Sequence, residues 1–130
     1  MMNPVVHFEM PYRDRDRAAR FYSAAFGWQT QMLGPEMANY LLVTTTVSDA
    51  KPGAAAGAIN GGLFAFNPDM PAQHPAVVIA VEDMRAAMAR VVAAGGAVLG
   101  KPMQIPGVGE YVAFMDTEGN RNSMLQPVMA

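Results

Sequence analysis

Residues Asp14–Gly27 read DRDRAARFYSAAFG, and 69 positions further on residues Asp83–Gly96 read DMRAAMARVVAAGG. Each stretch opens on an aspartate, whose short carboxylate can accept from the exposed N–H groups of a first helical turn. Each continues with apolar residues three and four apart: Ala18, Phe21, Tyr22, Ala25 and Phe26 in one, Ala87, Val91 and Ala94 in the other. Each stops at glycine, which readily takes the left-handed conformation that ends helices. The shift carries Asp14 onto Asp83, Ala18 onto Ala87, Ala25 onto Ala94 and Gly27 onto Gly96, so cap, buried face and stop repeat together.

The flanks of the two helices repeat as well. Val5 to Met10 reads as a strand that Pro11 ends, and Ala76 to Val81 is its β-branched counterpart. Three extended stretches follow the first helix: Trp28 to Leu33, Tyr40 to Val47 and Ala58 to Phe66. Gly34-Pro35 and the Pro/Gly/Ala loop Asp49 to Gly57 separate them. Three follow the second: Val98 to Met103, Tyr111 to Met115 and Arg121 to Gln126. Pro102, Pro106-Gly107 and Glu118-Gly119-Asn120 supply the breaks. The pattern predicts one α+β domain over 1–130, built of two tandem βαβββ units at about 4–66 and 75–127 with a polar, Pro-rich linker at 67–74. One unit cannot close its own sheet. Two can pair edge to edge, as a cupped mixed sheet with helices on the convex side.

Composition narrows the function. Hydrophobic residues are 52% and charged residues 15%, a globular balance. The net charge of −2 argues against a nucleic-acid or anionic-membrane partner. With no cysteine there is no disulfide, no thiolate metal site and no cysteine nucleophile, which fits a cytoplasmic location. Met1 to Met10 lacks the basic and apolar regions of a signal peptide, and the uncharged run within Pro52 to Pro68 is too rich in Gly, Ala and Asn for a membrane span. No phosphate-binding glycine loop and no G-x-S-x-G nucleophile turn occurs. The twelve methionines read as core filling.

Five stretches resemble the vicinal oxygen chelate superfamily, which holds glyoxalase I, extradiol dioxygenases and the bleomycin- and fosfomycin-resistance proteins. They are HFEMP (His7–Pro11), RAARFYSAAFGW (Arg17–Trp28), INGGLF (Ile59–Phe64), VIAVED (Val78–Asp83) and DTEGN (Asp116–Asn120). The last matches the family's D-P-[DE]-G-N turn, with Thr117 where proline is usual. The resemblance spans nearly the whole chain and is greatest to glyoxalase-related proteins of undefined substrate. It implies a metal at the floor of the cup, held by the first and last strands of each unit. Those positions fall here on His7, on Gly61 or Gly62, on Ala76 and on Ser123. Only His7 is a metal-ligand type. The resemblance also implies pairing of units across chains, hence a homodimer.

The residues themselves add a polar pair. His7 and Glu9 are two apart on a strand and share one face, while Phe8 and Met10 share the other and should pack on a helix. An imidazole beside a carboxylate suits metal binding or acid–base work, or it can be a hydrogen-bonded feature of a cavity wall. In the second unit Ala76, Val78 and Ala80 make a small, apolar wall on the matching face. His74, beside Pro75, reads as a loop residue, and Glu110 could rim the cup. Tyr40, Tyr111 and Phe114 are candidates to close its mouth. Two functions follow. One is a metal-free protein with no cofactor that binds a small, largely apolar molecule through His7, Glu9, Ala76, Val78 and Ser123. The other is a metal-dependent lyase or dioxygenase in which His7 and Glu9 are ligand or catalytic base.

Overall fold

The computed structural model describes residues 2–46 and 58–128. The loop expected over Asp49 to Gly57, and the end of the stretch expected to reach Val47, lie outside them. By its contacts the chain parts into two compact units. The first is His7–Pro75. The second is Ala76–Ala130 together with Met1–Val6. The N-terminal residues join the second because the Ala80 N–H donates to the Pro4 carbonyl at 2.9 Å.

In the first unit the order is β1 (Val5–Tyr12, its first two residues counted with the second unit), α1 (Arg15–Phe26), β2 (Gln29–Met32), a 3-10 turn at Pro35–Met37, β3 (Leu41–Thr44) and β4 (Gly61–Ala65). β4 lies between β1, parallel to it, and β3, antiparallel to it, and β2 takes the far side of β3. The second unit repeats this with β5 (Ala76–Ala80), α2 (Met84–Ala93), β6 (Ala97–Ile105), β7 (Gly109–Met115) and β8 (Arg121–Pro127). β8 lies between parallel β5 and antiparallel β7, with β6 outermost. The expected α+β class and the doubled βαβββ order are what the chain forms. No described helix is long and apolar enough to cross a membrane.

Both caps form. The Asp14 carboxylate accepts from the Arg17 N–H at 3.0 Å, and that of Asp83 from the Ala86 N–H at 3.1 Å. The helix faces are narrower than the spacing predicts. On α1, Ala18, Ala19 and Tyr22 pack with Phe8, Met10, Leu41, Val43 and Leu63. Phe21 and Phe26 stay 56% and 63% exposed in an aromatic cluster, Phe21 edge-on to Tyr22 and Phe26, and Phe26 tilted against Trp28. On α2, Met84, Ala87, Met88 and Val91 pack with Val81, Val98, Val112, Phe114 and Met124, while Ala94 is exposed.

Three punctuation marks fall differently from the sequence reading. Pro11 does not end β1, which runs on to Tyr12. Phe8 donates to the Asn60 carbonyl and the Tyr12 carbonyl accepts from Phe66, so the even residues of β1 turn their backbone groups towards β4. Pro11 is odd, and the N–H it lacks is not one β4 needs. The second helix stops one residue early. Gly95, with φ 101°, takes the left-handed role of Gly27, φ 72°, and Gly96 follows it. Pro102 lies inside β6, where the pairing with β7 shifts between Leu99 and Met103, a bulge that tolerates the missing donor.

The linker is organised around one side chain. Gln73 is buried, accepts from the Asn67 N–H at 2.7 Å and donates to the carbonyls of Met70, at 3.1 Å, and of Asn67.

Candidate functional site

Strand parity sorts the first unit as the sequence predicts. Phe8 and Met10 turn to the helix side, and His7 and Glu9 take the other face. There the structure adds Tyr40. Its hydroxyl lies 3.0 Å from His7 Nε2 and donates to Glu9 Oε2 at 2.9 Å. A phenol has one proton. Given to Glu9, it leaves the oxygen to accept from His7, so the imidazole carries its proton on Nε2 in this arrangement. All three residues are half-buried.

Local structure delivers Tyr40 to that point. The turn before it bends through two left-handed residues, Ala38 (φ 54°) and Asn39 (φ 56°). The Tyr12 hydroxyl donates to the Asn39 carbonyl at 2.8 Å, and Arg15 donates to the carbonyls of Leu33 at 2.7 Å and Asn39 at 3.1 Å. Tyr40 is thereby tied to the start of α1 and the end of β1, and the Leu33 N–H closes the turn on its carbonyl at 2.9 Å.

Tyr40 sits on Gly62. A Cβ at position 62 would overlap the Tyr40 ring and hydroxyl, so only glycine admits the ring here. Position 62 is also the one the register assigns to the fold's last-strand site. Parallel pairing sets Glu9 beside Gly62 and Val78 beside Ser123, and the 69-residue shift turns Glu9 into Val78. Of Gly61 and Gly62, the second is therefore the counterpart of Ser123. Gly61 faces Phe8 instead.

The second unit carries the same tyrosine in plainer surroundings. Leu42 lies opposite Gly62, and Ala113 lies opposite Ser123. Tyr40 and Tyr111, two residues before each, are thus counterparts. Tyr111 Oη and Ser123 Oγ are 2.6 Å apart. Ala76 and Val78 stand where the first unit has His7 and Glu9.

The five residues named from sequence thus divide in two. The structure brings His7 and Glu9 together in the first unit, and sets Val78 beside Ser123 on neighbouring strands of the second, where Ala76 opens β5. His74 is exposed in the linker. Glu110 is not at a rim: its carboxylate pairs with Arg85 of α2 at 3.1 Å, on the helix side. Phe114 likewise belongs to the helix-side core and closes no mouth. Tyr40 and Tyr111, expected as candidates to close the mouth, instead bond to His7 and Glu9 and to Ser123, and the spacing of 71 between them, close to the repeat shift, was a usable signal.

A metal is a poor match to this donor set. Of the four positions the fold suggests, His7 offers an imidazole, but Tyr40 covers Gly62, Ala76 offers a methyl group, and the Ser123 hydroxyl is shared with Tyr111. Among the described residues, no three of His, Cys, Asp and Glu stand close enough to hold an ion.

Between β7 and β8 the Asp116–Asn120 turn forms as its motif suggests. Asp116 Oδ1 accepts from the N–H groups of Glu118 at 2.8 Å and Asn120 at 2.9 Å, and Oδ2 accepts from the Asn120 side chain at 2.9 Å. These bonds, the Asn120 side chain first, hold the Asp116 carboxyl below the usual carboxylate range.

With the doubled βαβββ order and this site in view, comparison with known proteins gives the class. Residues 5–124 match the model of the Glyoxalase/Bleomycin resistance protein/Dioxygenase superfamily, and the chain belongs to that family. It is 30% identical over 119 residues to a glyoxylase-like domain-containing protein of Didymella fabae, covering 89% of this chain and 88% of that one. It is 40% identical over 64 residues to the putative glyoxylase CFP32 of Mycobacterium tuberculosis, a match spanning 48% of this chain and 24% of that protein. Among solved structures it resembles a methylmalonyl-CoA epimerase of Streptomyces coelicolor, in complex with 2-nitronate-propionyl-CoA. The TM-score is 0.71, over 99% of this chain and 100% of that one, at 15% identity. That likeness is one of fold.

Proposed function

We propose that this chain is a metal-independent member of its family, without a cofactor, that binds a small, largely apolar or aromatic molecule. His7, Tyr40 and Glu9 supply the polar anchor. The observation that carries the reading is Tyr40 seated on Gly62 with its hydroxyl bonded to both His7 and Glu9. Tyr40 thus fills the position at which the family resemblance implies a metal-binding side chain. An apolar lining with a few fixed polar groups is the usual make-up of a small-molecule site. The second unit, taken by itself, carries Ala76, Val78 and Ser123 as an apolar strip with a single hydroxyl. The second reading, a metal-dependent lyase or dioxygenase, rests on the same His7–Glu9 pair.

Metal analysis of protein purified without chelators separates the two. We expect no stoichiometric Zn, Ni, Mn or Fe. A stoichiometric ion that is lost in His7→Ala would overturn the proposal. For a ligand found by screening, His7→Ala with Glu9→Gln should weaken binding about tenfold or more, the scale of hydrogen bonds to charged groups. Unchanged affinity would remove these residues from the site.

A further inference from the structure

We propose that the first unit holds a second ligand site, on the helix side beside the start of α1, that takes a small apolar molecule ending in a carboxylate. A cavity of about 520 Å³ opens there. That volume is within the range of small-molecule sites, roughly 300–1,000 Å³. Its apolar lining includes Met10, Phe21, Tyr22 and Leu63, and Arg13 and Arg17 are also lining residues. It is distinct from the His7–Tyr40–Glu9 group, because Met10 and Leu63 belong to the helix-side core.

Both lining arginines are cationic. The Arg13 guanidinium carbon lies 4.0 Å from the centroid of the Phe66 ring. Stacking uses the face of the planar group and leaves its edge, where the N–H donors are, for a carboxylate. Among the described residues neither Arg13 nor Arg17 has an ion-pair partner. Asp14 also lines the cavity, but its carboxylate is engaged with the Arg17 backbone N–H at 3.0 Å. Arg15, between them, is turned away to the carbonyls of Leu33 and Asn39. A chain with net charge −2 thus presents a local excess of positive charge over an aromatic wall. An apolar body with one anionic head is complementary to both.

Benzoate, the neutral benzamide and acetate are the probes. Amide resonances of residues 10–22 report on the site directly. Trp28, the one tryptophan, reports through Tyr22, whose ring it stacks against at 4.8 Å and 9°. We expect saturable benzoate binding with shifts confined to that segment, and affinities at least tenfold lower for benzamide and acetate. Arg13→Gln with Arg17→Gln should weaken benzoate at least tenfold while leaving the spectrum folded, since both side chains are exposed. His7→Ala should leave it unchanged, which keeps this site separate from the proposed anchor. Equal binding of benzoate and benzamide, benzoate affinity retained in the double arginine variant, or no saturable shift up to about 10 mM, weaker than the millimolar limit of useful affinity, would each overturn the proposal.

Discussion

An alanine at position 62 would have to share space with the Tyr40 ring. We therefore expect Gly62→Ala to displace Tyr40 and to cost stability, and to cost far less once Tyr40 is already Ala. The coupling in that double-mutant cycle should be roughly 1–3 kcal/mol, as for residues in direct contact. Additivity in chemical denaturation would mean that the ring does not depend on the glycine. Tyr40→Phe keeps the ring but removes the hydroxyl that joins His7 to Glu9. It should cost about 1–3 kcal/mol, one or two hydrogen bonds to polar groups left partly buried. At this scale the sequence was half legible. Strand parity placed His7 and Glu9 on one face from their spacing alone. It could not place Tyr40, because that side chain is delivered by a turn of two left-handed residues that are not glycine, anchored by Tyr12 and Arg15 from elsewhere in the chain.

Elements were legible where a cap or a period acts locally. Asp14 and Asp83 do what an aspartate before a helix does, and the apolar alternation of β1 survives intact. Misreadings came where tertiary partners decide. Pro11 passes through β1 because its missing N–H lies on the side away from β4, and Phe21 and Phe26 find one another instead of the core. Leu41 of β3 is fully buried beneath α1, so Leu41→Ala should cost about 2–5 kcal/mol, read by denaturant unfolding. The Asp116 turn makes a pH prediction. Its carboxyl titrates below the ordinary value of 3.8 in the folded chain, so the stabilisation is complete above that value and is lost as pH falls through the folded pKa. Asp116→Ala should therefore lower Tm at neutral pH and flatten its fall below about pH 4, the ordinary carboxylate range. Parallel Tm profiles for parent and variant would show that the turn does not report on this titration.

At the scale of the whole molecule we expect a homodimer. Phe26 on α1 and, separately, Val92 on α2 are exposed apolar side chains that a second copy would cover. Sedimentation at micromolar concentration should give twice the chain mass of 13.9 kDa, and a monomer alone would count against it. The doubled plan was the most legible feature of the sequence, since cap, face and stop recur at one spacing. Its functional asymmetry was legible only in part: Ala76 and Val78 could be matched to His7 and Glu9, but the shared tyrosine could not. That asymmetry gives the chain an internal control. One half bears an imidazole and a carboxylate around its tyrosine, the other an alanine and a valine around the same phenol. Writing Ala76→His and Val78→Glu into the plain half, or the reverse exchange into the equipped one, compares two sibling sites within one polypeptide, at identical concentration and in the same tube.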